Sequence, residues 1–184
     1  MKIAMAQTTT KQSTGRPRSG ARRDAVKTRA RILRHATRAF AKDGYDGARV
    51  DDIARRVGVS VTLLYHYFGS KERLFVAVME EAFLLIRRHH GDIELSELPP
   101  REAIAKIANS LFDLFHEHQE LASLLNSENL HKARHISNSK TIRGLYRPLL
   151  KTLDEVVERG RAEGVFARRI SGTDFAISLT GLAY

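Results

Sequence analysis

A chain of 184 residues, 42% of them hydrophobic, holds enough apolar material for one or two small globular domains with a real core. It contains no cysteine, which excludes a disulfide framework, a thiolate metal site and a cysteine nucleophile. The net charge of +10 is unevenly spread: up to Phe75 seventeen Lys and Arg face six acids, giving +11, while the remainder carries fourteen against fifteen, giving −1. The first part is therefore suited to a polyanion, although charge alone does not separate DNA from RNA or acidic lipid. The opening MKIAMAQTTT loses its apolar run at Gln7, too early for a signal peptide. No apolar run approaches the ~18 residues of a membrane span, so the chain reads as soluble, cytoplasmic and without a membrane partner.

Residues 1–23, rich in Thr, Gln, Ser, Gly and Arg and without an aromatic, are expected to form a disordered basic arm. Within it Thr14-Gly15-Arg16-Pro17-Arg18 either adds charge alone or enters a minor groove as arginine-proline arms do. From Asp24 to Lys42 a helix carries Ile32, Leu33, Ala36, Ala39 and Phe40 on one side, and Asp43 to Gly47 closes it as a turn. Val50, Ile53, Ala54 and Val57 then recur at helical spacing up to Gly58, a residue able to end a helix in the left-handed conformation. Ser60 can cap a second, short helix, Val61 to Phe68, in which Leu64 and Phe68 bury one edge and leave Thr62, Tyr65, His66 and Tyr67 for a partner. A short helix offering hydrogen-bonding side chains suits the major groove, and the pattern reads as a helix-turn-helix.

The string LLYHYFGSKERL after a Gly-Val-Ser turn resembles the recognition helix and following helix of the TetR family of repressors, over about Thr28 to Phe83. That resemblance implies an all-α homodimer. Its N-terminal three-helix DNA-binding domain would span 24–75, and an antiparallel helical ligand-binding and dimerisation domain 76–184. It also implies DNA contacts from Thr62, Tyr65, His66 and Tyr67, and a backbone contact from Lys71. For Tyr65 the alternative is packing beside Leu64; for Lys71 it is plain solvation. Arg49 stands where Thr or Ser usually caps the helix-turn-helix's first helix, so that cap is lost unless Asp51 or Asp52 substitutes, and Arg49 is free to hold a phosphate. Val61 and Leu63, often polar in the family, offer apolar contact to thymine methyls instead. With Ser60 these residues complete the expected DNA-facing set.

A fourth helix from Ser70 to about His90 links the domains, with Gly91 ending it. Further helices follow Pro99-Pro100, run from Gln119 to Leu130, and run from Ser139 to Glu163, the last bent at Pro148 and ended by Gly164. A final segment from Thr173 or Asp174 stops within an apolar pattern. In the resembled family another helix follows, so this domain reads as cut short. The stripe of Phe112, Phe115 and Tyr146 is core by default. Polar residues beside it, namely His116, Asn126, Glu128, Asn129 and Arg143, together with Leu125, point to a ligand pocket, because burying them unpartnered costs about 1 to 3 kcal/mol each. Arg143 either pairs with a ligand anion, pairs internally with Glu128 or remains solvated. Glu128, His131 and His135 have a metal-like spacing without an evident fourth ligand, so no metal or other cofactor is expected. His89-His90, His116 and His118 read as surface residues.

No nucleophile-and-base string, phosphate-cradling glycine loop or convergent carboxylate pair appears, so an enzyme is not expected. The expected function is a sequence-specific transcriptional regulator, a repressor released from an inverted-repeat operator by an unknown small-molecule inducer. The alternative is an architectural or nonspecific nucleic-acid-binding protein, which has no use for about a hundred near-neutral residues with broad apolar faces.

Overall fold

The computed structural model describes residues 19–90, 95–168 and 170–182, and these form eight α-helices with no strand among them. In chain order they are α1 (Ser19–Gly47), α2 (Val50–Val57), α3 (Val61–Phe68), α4 (Lys71–His90), α5 (Pro100–Glu117), α6 (Gln119–Leu130), α7 (Lys140–Ala162) and α8 (Gly172–Leu182). Helix α1 begins five residues before the expected Asp24, so Ser19 to Arg23 belong to it and not to a disordered arm. A segment too polar to fold alone still lengthens a helix that is already nucleated, and Ala21, Arg22 and Arg23 are good helix formers. The Thr14–Arg18 string lies outside the described residues. The expected turn at 43–47 survives as a break inside α1, where Gly44 takes φ 67° and ψ −179°.

Caps set most other boundaries. Pro100 occupies the first turn of α5. The Ser139 hydroxyl accepts from the Ile142 amide at 3.1 Å and donates to Glu80 at 2.8 Å, starting α7 and tying it to α4. Helix α7 continues through Pro148, and the chain turns away at Gly164 with φ 72°.

One buried cluster runs from Ile32, Ala36 and Phe40 of α1 through Ile53, Leu64, Leu74 and Phe75 to Leu114, Phe115, Leu121 and Leu124 of α5 and α6. Phe40 meets Phe75 edge-on at 5.0 Å. The expected domain boundary after Phe75 is thus crossed both by α4 and by a shared core. A second cluster, Leu95, Ala103, Ile107, Leu153, Val156 and Ala176, joins α5, α7 and α8. Arg159 of α7 donates to the carbonyls of Leu95, Ser96 and Leu98, pinning the approach to α5.

Two glycines of α7 test this packing with opposite signs. A Cβ at Gly160 would lie 2.3 Å from the Phe166 ring and 3.0 Å from Pro100, whereas one at Gly144 meets nothing within 4 Å. Gly160→Ala is expected to destabilise by about 1 to 3 kcal/mol through overpacking. Gly144→Ala is expected to stabilise by about 0.5 to 1 kcal/mol by relieving the helical cost of glycine. Denaturant midpoints of the two variants check both signs.

Candidate DNA interface and ligand cavity

The reading head is built from short-range signals. Gly58, at φ 76° and ψ 39°, ends α2, with its amide donating to Ala54 at 3.0 Å and Arg55 at 3.1 Å. The Ser60 hydroxyl accepts from the Leu63 amide at 3.1 Å and so starts α3. Leu64 and Phe68 are buried, and this turns Thr62, His66, Leu63 and Tyr65 outward, the last two with 38% and 39% of their surface exposed. Tyr65 is therefore not a core residue. Val61 and Tyr67 are half-buried, packing against the core at the edges of the same face.

Arg49 is exposed and makes no cap, as its side chain chemistry requires; Asp51 and Asp52 occupy the first turn of α2 instead. Arg31 of α1 donates to the Val57 carbonyl, and the Arg29 guanidinium lies 5.2 Å above the Phe68 ring, so α1 arginines hold α2 and α3. The positive field here is visible at His35. Burial, then Arg38, Arg34, Arg31 and Arg56, push its pKa below the ordinary value.

Lys71, at the start of α4, donates to the Asp46 carbonyl at 3.1 Å and sits 4.9 Å over the Tyr45 ring. A neutral carbonyl positions this ammonium group without cancelling its charge, and two of its three protons stay available to a phosphate.

The base of the DNA-binding helices is clasped by the end of α6 and the turn that follows it. The Tyr45 amide donates to the Ser127 hydroxyl at 3.3 Å, and the Tyr45 ring meets His135 at 4.1 Å. His135 also touches Phe75 at 5.2 Å. Glu128 orders that turn. One carboxylate oxygen accepts from the amides of His135 at 2.8 Å and Ile136 at 3.0 Å, and the other accepts from His135 Nδ1 at 2.7 Å. His131 bonds the Ser127 carbonyl through Nδ1 at 2.7 Å and the Asp46 carboxylate through Nε2 at 3.0 Å. Both partners accept, so both bonds form only with the imidazolium; they raise the His131 pKa, and His131 lowers that of Asp46. The three residues with metal-like spacing are thus held as a hydrogen-bonded clasp, and among the described residues no group of three His, Asp or Glu is placed to hold a metal ion.

Behind the clasp lies a partly open cavity of about 430 Å³, lined by residues of α4, α5, α6, α7 and α8 and by Ile136 of the turn. Five of the expected pocket residues line it: Phe115, Leu125, Glu128, Asn129 and Tyr146. Four do not, and each is corrected by helix geometry. Phe112 and His116 are four apart on the outer face of α5, their rings stacked at 6.4 Å, with Phe112 59% exposed. Asn126 points outward from α6, and Arg143 lies in a surface groove of α7 with Lys140 and Arg147. The walls that the sequence reading missed are Phe83, Ile86 and His90 of α4, Ile107 and Leu111 of α5, Leu149 and Leu153 of α7, and much of α8. His90 corrects an expectation of surface exposure. It continues the α4 stripe of Met79, Phe83 and Ile86, is buried, shares a hydrogen bond with Ser110 at 3.1 Å, and burial followed by His89 lowers its pKa to about 4.

Two family models match, one described as "Bacterial regulatory proteins, tetR family" over residues 32–78, the other as "Tetracyclin repressor-like, C-terminal domain" over 100–184. The HTH-type transcriptional repressor NicS of Pseudomonas putida is 30% identical over 160 residues, which span 87% of this chain and 76% of NicS. The chain belongs to the TetR family of bacterial regulatory proteins. Solved TetR-type structures share its fold. A tetR-family regulatory protein from Rhodococcus RHA1 superposes with TM-score 0.70 at 19% identity, covering 85% of this chain and 81% of that one. AibR, solved with isovaleryl coenzyme A and operator DNA, gives 0.65 at 21% identity, covering 85% and 83%. As a member of this family the protein is an all-helical, DNA-binding transcriptional regulator, and the architectural alternative is not favoured. Among the described residues no helix is long and apolar enough to cross a membrane.

The clasp of this TetR-family regulator has a defined pH window. Stability from the raised His131 pKa is fully present below its ordinary 6.5 and is lost as pH rises through the higher folded value. Stability from the lowered Asp46 pKa is present above its ordinary 3.8 and is lost as pH falls through the lower folded value. The thermal midpoint of the wild type is expected to exceed that of His131→Gln in mildly acidic and near-neutral buffer and to converge with it in alkaline buffer. An equal gap at all pH values sinks the ionic link.

Proposed function

We propose that this regulator is a repressor that binds an inverted-repeat operator as a homodimer and leaves it when a small molecule enters the cavity. Residues 24–75 grip DNA and 76–184 sense and dimerise. One observation carries the reading: Glu128 lines the cavity and, with the same carboxylate, holds the turn whose His135 packs on Tyr45 and Phe75 at the root of the DNA-binding helices. Occupancy that displaces α6 or this turn has a short path to Tyr45, Asp46 and Lys71. NicS is named a transcriptional repressor, and AibR was solved with both a small molecule and operator DNA, which support the same reading.

In the DNA complex α3 lies in the major groove, with Thr62, Tyr65, His66 and Leu63 presented to base edges and to thymine methyls. Val61, at the edge of that face, adds to the thymine-methyl contacts, and Arg49, Ser60, Tyr67 and Lys71 flank it and meet the backbone. Two such helices per dimer, about 34 to 36 Å apart, require a palindromic site. A coupling of about 1 to 3 kcal/mol between cavity and DNA suffices to change affinity 5- to 150-fold.

Selection of random duplexes on the full chain, followed by anisotropy titration at two salt concentrations, tests this. A palindrome bound about a thousandfold tighter than its scramble is expected. Equal affinities falling together with salt would favour nonspecific binding. On the selected site, Thr62→Ala is expected to relax base preference at its own step. Lys71→Met is expected to weaken all sequences alike and to lower the salt slope by about one unit. Saturating inducer that leaves operator affinity unchanged would remove the sensor half of the proposal.

A further inference from the structure

We infer that the cavity selects an uncharged, largely apolar molecule that takes a hydrogen bond from or to the Tyr146 hydroxyl, and that it turns anions away. The inference rests on the sensor reading above and adds the chemistry of what is sensed. The cavity, at about 430 Å³, falls within the range of small-molecule sites, about 300 to 1,000 Å³. Its described lining is dominated by Phe, Ile and Leu side chains from all five helices and contains no Lys or Arg. An anion entering it would lose hydration without meeting a cation on the lining, which is unfavourable in an apolar site.

The two titratable groups that resemble charge partners are already committed. Both oxygens of Glu128 are occupied by three donors, so the carboxylate has no strong vacancy for a ligand cation, and its charge repels an anion. His90, also on the wall, is held neutral by burial and bonded to Ser110. Tyr146 differs. Its ring is fixed edge-on against Phe83 at 5.6 Å, the residue lines the cavity, its pKa is raised by desolvation, and its hydroxyl has no hydrogen-bond partner among the described residues. An unpartnered hydroxyl on such a residue supplies a directional contact that fixes orientation in a largely apolar site. Arg143 and Arg147 of α7 line an outward groove that meets the cavity only at Tyr146, and Arg87 of α4 lines an adjoining pocket that shares Phe83, Ile86, His90, Tyr146 and Leu149 with it; none of the three arginines lines the cavity itself.

A matched pair of fluorescent probes tests the charge selection on the full chain. N-phenylnaphthylamine is uncharged; anilinonaphthalene sulfonate keeps the same two aromatic groups and bridging amine and adds one anion. The uncharged probe is expected to bind at least about tenfold more tightly at neutral pH. Leu149→Trp and, from the opposite wall, Leu125→Phe fill the cavity and are expected to weaken that probe in proportion to the added bulk. Asn129→Arg, at the exposed rim, is expected to strengthen the sulfonate and leave the uncharged probe nearly unchanged. Sulfonate binding equal to or tighter than the uncharged probe, and sensitive to the filling variants, would overturn the charge inference while leaving the sensor reading intact. A sulfonate indifferent to Asn129→Arg would also overturn it. Failure of both probes to bind, or binding indifferent to both filling variants, would remove the cavity as a ligand site and the sensor reading with it.

Discussion

A single buried carboxylate holds the two functional halves of this molecule in register. Glu128 is 1% exposed and receives two backbone N–H groups and one imidazole N–H. A buried ion tolerates such a place because its charge is fully solvated by fixed donors. Taking those oxygens away leaves two amides and a ring nitrogen unsatisfied, a loss of about 1 to 3 kcal/mol for each group. The turn then has no reason to keep its shape, which includes two residues at positive φ, Lys132 and Ala133. His135 would lose the orientation that stacks it on Tyr45. The clasp on the DNA-binding helices is thus a consequence of how one acid is hydrogen-bonded.

This arrangement separates affinity from control. The basic half supplies the field: arginines of α1 both surround His35 and brace α2 and α3, so the residues that attract phosphates also set the angle of the reading helix. The near-neutral half supplies no comparable field and is free to be apolar. It meets the DNA-binding helices at Tyr45, Asp46 and Phe75. Two of these, Tyr45 and Asp46, are also the residues that Lys71 touches.

The helix-turn-helix was legible in the sequence because its determinants are local: a glycine that reaches positive φ, a serine one turn before an amide it caps, and apolar residues four apart. The same holds for the starts of α5 and α7, set by Pro100 and Ser139. The cavity was legible only in part. Helical periodicity reports which face of α5 is buried, but not whether that face meets another side chain or a void. Phe112 is therefore as good a candidate in the sequence as Phe115, and nothing there sets Phe83 apart as a cavity wall. Glu128 was noticed for its spacing to His131 and His135, yet spacing along a helix says nothing of Asp46, which lies 85 positions away from His131 and takes that bond. His90 reads as a surface residue beside His89, whereas the apolar stripe running up α4 carries it into the interior. The start of α1 was misjudged because composition reports whether a segment folds alone, not whether it prolongs a neighbour.

The core that passes from Ile32 and Phe40 through Phe75 to Leu114 and Leu124 without interruption also governs how the molecule comes apart. Elements that share a hydrophobic core open as one cooperative unit, since exposing one half strips the other of its contacts. Amide hydrogens in α1, α4 and α6 then exchange through a common opening, and the DNA-binding helices have no low-energy unfolded state of their own. A chain built this way keeps its reading helix ordered for as long as the shared core holds, because Leu64 and Phe68 anchor α3 in that core.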